Sequence, residues 1–364
     1  MFSLFSKQKS AIGLDISDAT LRLMQLDRLG TGFFPVAFSE VTLAKGLVVD
    51  EKIGNPEKLA EVIRVSRLKP AFGQFTSSYV ALSVPESKSF VRVITVPKMT
   101  EKEAREAVPL EAEQYIPIAS DQVYMDFRTV LGEEKRGSDK MKVVISATPK
   151  NVVDDYVQVA KLAGLRPIAI EVESEAVARC LISKKREQEP TLILDVSSLH
   201  THLIIYDQGT LQFTSSLPVA GNSFTTQIAQ QLTVSPEEAE KLKIQMGLIA
   251  TKGGGKVRAA VAPLLASLIE AIRNTVNFYR EHSDGARQIS RVLLCGGGAK
   301  LRGLNEYLNQ ALNGVGQPQL LVEVGDPWVN VLEQPIKKIP PISKADSISY
   351  ATALGLALRG VQNE

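Results

Sequence analysis

Two aspartates carry the chemistry that this sequence offers most directly. Asp15 stands in Ile12-Gly13-Leu14-Asp15-Ile16-Ser17, and Asp195 in the similar Leu192-Ile193-Leu194-Asp195-Val196-Ser197. In each copy a short apolar run ends on a carboxylate and a turn of small residues, and a second apolar run follows at 21–26 and 203–206. That pattern predicts a buried strand, a tight hairpin and an antiparallel partner. Third runs follow at 33–38 and 211–217, after Gly30-Thr31-Gly32 and Gln208-Gly209-Thr210. Two such sheets facing across a cleft could hold a phosphate chain. Hairpin amides can point at its oxygens, while Mg²⁺ keeps several waters and leans on one or two carboxylates. Asp15 alone reads as an ordinary turn-forming aspartate; its repetition as Asp195 favours the binding role.

A third feature is a strand over 291–295 that runs into Gly296-Gly297-Gly298, with Leu301, Leu304, Leu308 and Leu312 on one face of a following helix. Glycines at such a turn let a ligand approach the backbone closely. Gly253-Gly254-Gly255 has no preceding strand and reads as a loop between helices. Glu240 and Lys243 have helical i,i+3 spacing, which is also the mark of a surface ion pair worth about 0.2–0.5 kcal/mol. Glu171, Glu173 and Glu175 could include a group that activates water, or could simply place acidic charge at a helix N-terminus. No catalytic base is assigned. His200, His202 and His282 are too scattered for a triad or a zinc site, and the same holds for Cys180 and Cys295.

These residues need elements to position them. The stretch 79–166 has its own rhythm, with strands expected at 79–84, 90–94 and 142–147 and helices at 101–115 and 150–163. Thr100 and Glu103 have capping-box spacing, whereas Pro109 predicts a kink or a fresh helix start. Gly132 to Lys140 reads as a hairpin tip. Ser235-Pro236-Glu237-Glu238 is an N-cap followed by proline at the first helical position, and Gly247 stops that helix. Val261, Leu264, Leu265, Leu268, Ile272, Val276 and Tyr279 recur at helical spacing and mark a core-packing helix over 257–279. A proline-bearing loop over 335–341 precedes a last helix at 348–359.

Composition limits the alternatives. A chain of 364 residues exceeds one compact core on a soft prior of about 150 residues per domain. A net charge of +2, from 42 basic and 40 acidic side chains, gives no basis for a sequence-independent grip on nucleic acid. The two cysteines lie in apolar surroundings, as expected of reduced thiols. No run approaches the ~20 apolar residues of a membrane helix, and the first ten residues lack a secretory apolar core. Phe2, Leu4 and Phe5 ahead of Lys7 and Lys9 read as a frayed terminus. A cytoplasmic protein without a membrane span is expected.

Asp15-Ile16-Ser17, Asp195-Val196-Ser197 and Leu294-Cys295-Gly296-Gly297-Gly298-Ala299-Lys300-Leu301-Arg302-Gly303-Leu304 occur in the order found in the actin-like ATPases related to FtsA, which the chain resembles over nearly its whole length. Val96-Pro97-Lys98-Met99, Glu111-Ala112-Glu113-Gln114-Tyr115-Ile116-Pro117, Ala163-Gly164-Leu165-Arg166-Pro167 and Ala353-Leu354-Gly355-Leu356-Ala357-Leu358-Arg359-Gly360 narrow the resemblance to the type IV pilus assembly family PilM. The resemblance implies an α/β, actin-like (ribonuclease H-like) two-lobed fold with duplicated sheet cores around a nucleotide cleft. It further implies subdomain IA over 1–78, 167–188 and 345–364, an inserted SHS2-type subdomain IC over 79–166, IIA over 189–225 and 287–344, and IIB over 226–286.

The implied cofactors are ATP and Mg²⁺. Asp15 and Asp195 would hold hydrated magnesium, with Ser17, Ala19, Thr20, Ser197, Ser198 and Thr201 donating amides or hydroxyls. Arg22 stands where the family often has lysine. Glu240 and Lys243 match a Glu-x-x-Lys pair facing ribose and adenine, Gly296, Gly297, Gly298 and Leu301 the adenosine turn, and Gly221 and Asn222 lie near the phosphates. The implied partners are the N-terminal cytoplasmic tail of a PilN-like inner-membrane protein, in a groove between IA and IC, and other pilus assembly components. The chain would then sit in the cytoplasm, peripheral to the inner membrane.

Two departures bear on this. Ser17 and Ser197 replace the family's glycines, adding a Cβ near the phosphates and strain on the order of 1 kcal/mol if the backbone angle is positive. Asp18 adds a negative charge there unless it turns outward or meets Arg22. The preferred function is an ATP-binding adaptor of a type IV pilus, or related type II secretion, inner-membrane complex. The alternatives are an active ATPase or sugar kinase, an FtsA-like polymerising membrane tether, and a pseudo-ATPase scaffold that no longer binds nucleotide. Against the tether stands the ending Gly360-Val361-Gln362-Asn363-Glu364, which is not an amphipathic helix.

Overall fold

The computed structural model describes residues 10–130, 139–249, 254–283, 287–313 and 319–362. Contacts divide the chain into two compact units. One comprises the chain up to Lys88, Thr148–Ser183 and the chain from Pro327 onward; the other comprises Ser89–Ala147 and Lys184–Asp326. In chain order the elements are β1 (Ile12–Ile16), β2 (Thr20–Leu29), β3 (Gly32–Thr42), β4 (Val48–Val49), β5 (Lys52–Ile53), α1 (Pro56–Leu68), β6 (Phe72–Gly73), β7 (Tyr79–Val84), β8 (Phe90–Pro97), α2 (Glu101–Ala112), β9 (Val123–Thr129), β10 (Lys140–Pro149), α3 (Lys150–Leu162), β11 (Arg166–Val172) and α4 (Glu173–Leu181). The second half adds β12 (Thr191–Val196), β13 (Thr201–Asp207), β14 (Thr210–Leu217), α5 (Gly221–Leu232), α6 (Pro236–Met246), α7 (Gly254–His282), β15 (Arg291–Cys295), α8 (Leu304–Leu312), β16 (Leu321–Val324), α9 (Lys344–Ser347) and α10 (Ala351–Val361).

In the first unit β1 lies inside a six-stranded sheet ordered β11-β7-β1-β2-β3-β6. It runs parallel to β7 and antiparallel to β2. Alternation along the strand sends Ile12, Leu14 and Ile16 into an apolar core with Leu59 and Ile63 of α1 and Tyr156 and Val159 of α3. Gly13 and Asp15 therefore point to the opposite face, where α10 crosses. A Cβ on Gly13 would lie 2.6 Å from the Ala357 amide nitrogen and closer still to the Ala353 carbonyl, so glycine is what admits the helix. Gly355 of α10 meets the Ala176 backbone of α4 in the same way.

The second unit repeats this arrangement in an eight-stranded sheet ordered β16-β15-β12-β13-β14-β8-β10-β9. Strand β12 runs parallel to β15 and antiparallel to β13, which pairs with β14. Leu192, Leu194, Leu203 and Ile205 face a core that includes Phe224 and Ile228 of α5, Val261, Leu265 and Leu268 of α7, and Leu304 and Leu308 of α8. By length and composition residues 255–282 could cross a bilayer, yet Val261, Leu265, Leu268 and Ile272 of this helix are fully buried against the sheet. The Ser89–Ala147 piece has its own core of Ile94, Val143, Ile145, Ala104 and Val108, and β8 joins β14 at the pair Arg92 and Phe213.

Several sequence expectations are modified. The expected 79–166 insertion is divided by the contacts at Lys88/Ser89 and Ala147/Thr148, which leaves β7 and α3 with the first unit. Helix α2 forms the capping box of Thr100 and Glu103 but passes through Pro109 unbroken and ends at Ala112, short of Tyr115. Helix α7 begins at Gly254, so Gly254 and Gly255 are helical rather than loop. Gly253, most of the hairpin tip at 132–140, and Phe2, Leu4 and Phe5 lie outside the described residues.

Replacing Gly13 by alanine forces a methyl group into the α10 backbone. Overpacking of this kind costs about 1–3 kcal/mol, so Gly13→Ala is expected to lower the denaturant midpoint without changing the slope of the transition. An unchanged midpoint would show that α10 does not rest on β1 this closely.

Candidate functional site

The two hairpins have identical register. Asp15 is opposite Arg22, and Arg22 is opposite Glu40; Asp195 is opposite His202, and His202 is opposite Ser216. Each carboxylate thus begins a row of three side chains across adjacent strands, in which neighbours interact. In the first row the Arg22 Nε donates to Glu40 Oε2 at 2.7 Å, and its Nη1 stands 3.7 Å from Asp15 Oδ2. The guanidinium also lies over the Tyr350 ring, 5.7 Å from its centroid. Burial raises the Asp15 pKa above the usual carboxylate value, and Arg22 opposes that rise only in part. Two acidic groups, the buried Asp15 and the exposed Glu40, share one arginine here.

The serines do not crowd this turn. Ser17 N donates to Thr20 O at 2.9 Å. The Ser17 hydroxyl donates to the same carbonyl at 3.1 Å and accepts from Thr20 N at 3.1 Å. Among the described non-glycine residues the positive φ angles belong to Asp50, Glu51, Gln208 and Thr233, so neither Ser17 nor Ser197 carries the left-handed strain that would disfavour a Cβ. Asp18 turns away: both its oxygens accept from the Glu51 amide at 3.2 Å. Ala19 supplies its carbonyl to Leu43 N at 2.8 Å. Beneath lies Tyr156, whose hydroxyl donates to Glu51 O at 3.2 Å. Its pKa is pushed well up by burial, with the charges of Glu173, Glu51, Asp18 and Asp15 adding to the effect.

In the second unit Ser197 N donates to His200 O at 3.0 Å. The turn is fastened to the start of α5, because Gly221 N donates to Ser197 O at 3.0 Å and Asn222 N to Ser198 O at 2.9 Å. The glycine turn after β15 closes on the same hairpin. Gly296 has φ 79°, and a Cβ there would lie 2.6 Å from Val196 O and would collide with Asp195 Oδ1. A Cβ on Gly298 would strike Val196, whereas Gly297 faces open space with nothing within 4 Å of the same position. Leu301 closes the turn through its amide, which donates to Gly298 O at 3.0 Å. Asp195, Ser197, Ser198, Gly221, Asn222 and the three glycines are therefore one assembly.

Glu240 and Lys243 are not an isolated surface pair. Lys243 Nζ lies 2.7 Å from Glu240 Oε2, 3.0 Å from Gly221 O and 2.8 Å from Thr225 Oγ1. The network links α6 to the same α5 terminus that holds the hairpin. The carbonyl of Gly221 takes Lys243 while its amide takes Ser197.

Some expected ligands serve elsewhere. Thr201 is fully buried on the core face, and its hydroxyl donates to Val219 O at 2.5 Å. The residue in register with Thr20 is His200, one position earlier. Glu171 is locked by Arg179 at 2.5 and 2.9 Å and by Arg359 at 2.5 Å, which removes it as a water-activating base. Glu173 Oε2 accepts from Glu86 N at 3.3 Å. Glu40, Tyr350, Ser216, His202 and Thr225 complete the two sites and were not identified as site residues from the sequence. The equal spacing from Asp15 to Arg22 and from Asp195 to His202 was the available signal for the cross-strand rows. Among the described residues no three His, Cys, Asp or Glu side chains come close enough to cage a metal directly.

A family model described as type IV pilus assembly protein PilM matches residues 13–361. The chain is similar to the cell division protein FtsA of Pseudomonas aeruginosa, with 23% identity over 72% of its length and 65% of that protein's. Among solved structures it is similar to a PilM-PilN type IV pilus biogenesis complex, at 26% identity and TM-score 0.80, covering 98% of this chain and 100% of that one. It also resembles MreB 5 of Spiroplasma citri bound to AMPPNP, with 16% identity, TM-score 0.53 and coverage of 96% and 95%; that likeness is one of fold alone. The actin-like α/β architecture with two mixed sheets agrees with both structures.

The raised Asp15 pKa has a stability consequence. Folding favours the protonated form, so the penalty is absent below the ordinary value of 3.8, grows as pH rises from there towards the folded value, and is complete above it. Asp15→Asn removes it. Without ligand, this variant is expected to melt above wild type at pH 7, by about 2–4 °C for each kcal/mol relieved, with the gap closing as pH falls towards 4. A variant that melts lower at pH 7 would show that Arg22 outweighs the burial.

Proposed function

The chain belongs to the type IV pilus assembly protein PilM family, and from that premise we propose that it is an ATP-binding adaptor which engages the N-terminal cytoplasmic segment of a PilN-like inner-membrane protein. Asp15 of the first hairpin and Asp195 of the second are its candidate carboxylates for MgATP. The observation that carries the reading is the pair of identical registers that set Asp15 and Asp195 at matching ends of β1 and β12.

The residues suit such a ligand. Asp15, buried and incompletely neutralised by Arg22, gains from a nearby cation. The Gly296-Gly297-Gly298 turn has the open face at Gly297 that an aromatic base could cover. Magnesium, when bound, would supply charge neutralisation for the triphosphate, and Asp15 and Asp195 are the carboxylates that would hold it. Arg22 and Lys243 would supply positive charge, while the amides of the two turns would complete the cradle. Ser17 and Ser197 are compatible with this role because their backbones are not left-handed. That favours the nucleotide-binding adaptor over the scaffold that has lost its nucleotide.

Family membership and the similarity to a PilM-PilN complex, over 98% of this chain, support partner binding. It would place the protein at the cytoplasmic side of the inner membrane, peripheral to it through that partner. No sugar pocket or catalytic base is assigned, so hydrolysis is not part of the reading.

Isothermal titration with MgATP and with a synthetic N-terminal peptide of a PilN-like protein tests both parts. Asp15→Ala and Asp195→Ala should each weaken MgATP at least tenfold, because a carboxylate in a charge-assisted contact contributes about 1.5–3 kcal/mol, and both should keep wild-type circular dichroism. Equal affinity in the variants removes these carboxylates from the site. Absence of peptide binding with and without nucleotide would refute the adaptor role.

A further inference from the structure

The proline-bearing loop ahead of α9 takes no part in the candidate site, yet it is firmly built. Its two ends are fastened to the first unit, where Val331, Leu332 and Ile342 are buried. Phe33 N donates to Val331 O at 2.6 Å, and a Cβ on Gly32 would lie 2.6 Å from the Glu333 amide nitrogen, so the base of the loop rests on the β2–β3 turn. Between these anchors Ile339 is 85% exposed and Ile336 53%.

Single exposed apolar side chains are ordinary on a protein surface. These two flank Lys337 and Lys338, in a stretch over 334–345 that also holds Lys344 and has no acid. Lys338 folds back, with Nζ 4.1 Å from the centroid of the Phe34 ring, and Lys337 Nζ lies 2.9 Å from Glu333 Oε1 at the base of the loop. Both ammonium groups therefore stand against the body of the unit while Ile339 projects. Arg28, whose guanidinium lies 5.6 Å from the Phe33 ring centroid, adds a further cation at the same turn. Pro335, Pro340 and Pro341 have no N–H, so moving the loop out of water strands fewer donors.

We propose that this loop is a membrane-contact element: Ile336 and Ile339 enter the interface of an anionic bilayer while Lys337 and Lys338 meet its lipid phosphates. An apolar tip with a cationic collar suits the boundary between headgroups and acyl chains. An acidic protein segment would also meet the lysines, but it would supply acceptors for backbone donors and so gives no reason for a tip that lacks them. The contact goes beyond the adaptor reading, because it is made by this chain directly and needs neither nucleotide nor peptide.

The test is sedimentation of the full chain with vesicles of phosphatidylglycerol and phosphatidylcholine in equal parts, and with phosphatidylcholine alone. Wild type is expected to bind the anionic vesicles at least about fivefold more strongly, the effect of one lysine near such a surface. Ile336→Ser with Ile339→Ser should lower that binding by about tenfold or more, while melting and MgATP affinity stay at wild-type values. Ile339→Ser alone serves if the double variant folds poorly. Ile339→Trp reads insertion directly: its emission should shift to the blue with anionic vesicles, against the constant background of the buried Trp328.

A wild type that sediments with neither vesicle, serine variants that bind as wild type does, or an Ile339→Trp emission that vesicles leave unchanged overturns the inference. Serine variants that keep vesicle binding and lose the PilN-like peptide would assign the loop to a protein partner instead.

Discussion

Each half of this molecule is organised around a carboxylate at the end of a strand flanked on both sides by other strands. An ionised group there loses most of its hydration, and the loss must be offset by partners or by a ligand. Asp15 and Asp195 are both nearly buried, at 5% exposure, and both stand on the face of the sheet opposite the main apolar core. For Asp15 this follows from strand alternation alone. Ile12, Leu14 and Ile16 need the core with α1 and α3, so the odd-numbered positions go to the other face. Gly13 then leaves room for α10, and Asp15 is left at the strand end with Arg22 beside it.

The two repeats solve the same desolvation problem with different partners. The first places an arginine across from its carboxylate and a second carboxylate beyond. The second places His202, whose Nδ1 lies 2.9 Å from Ser216 Oγ. A guanidinium offers a planar fork of donors and a permanent charge, whereas an imidazole offers two ring nitrogens. The duplicated geometry is therefore not a duplicated electrostatic environment. Substitution of serine for glycine shows the same economy in both turns. Where the backbone is not left-handed, a hydroxyl can stay and bond locally, as Ser17 does with Thr20.

What could be read from the sequence was what depends on local periodicity. The Asp-Ile-Ser and Asp-Val-Ser turns, the Thr100 capping box, the Ser235 cap and the core stripe of α7 are all set by residues within a few positions of one another, and they appear where expected. The Glu240–Lys243 pair was legible for the same reason. Long-range partners were not. Glu40 and Tyr350 reach Arg22 from other strands and from the far end of the chain, and Thr225 reaches Lys243 from a neighbouring helix. Thr201 looked equivalent to Thr20 because hydroxyls repeat. Strand pairing, not residue type, decides the facing, and a shift of one position turned that side chain into the core. Pro109 looked like a break, yet α2 continues through it for three more residues and ends at Ala112.

Arg22 in the first unit and Lys243 in the second, the cationic groups proposed to meet a nucleotide, are each engaged within their own unit. Arg22 bonds Glu40 and approaches Asp15, and Lys243 has its three donors directed at Gly221, Thr225 and Glu240. On the proposed reading, a polyanion would exchange partners at each group rather than add them, and its net affinity would be the difference between two well-satisfied states. Exchange of this kind makes binding sensitive to residues that never touch the ligand. Weakening Glu40 would free the Arg22 guanidinium, and losing the Gly221 carbonyl contact would loosen the link between α6 and the Ser197 turn. The same partners account for an ordered arrangement despite buried charge. The partners that a bound polyanion would have to displace are the same ones that keep Asp15 and Arg22, and separately Glu240 and Lys243, in place.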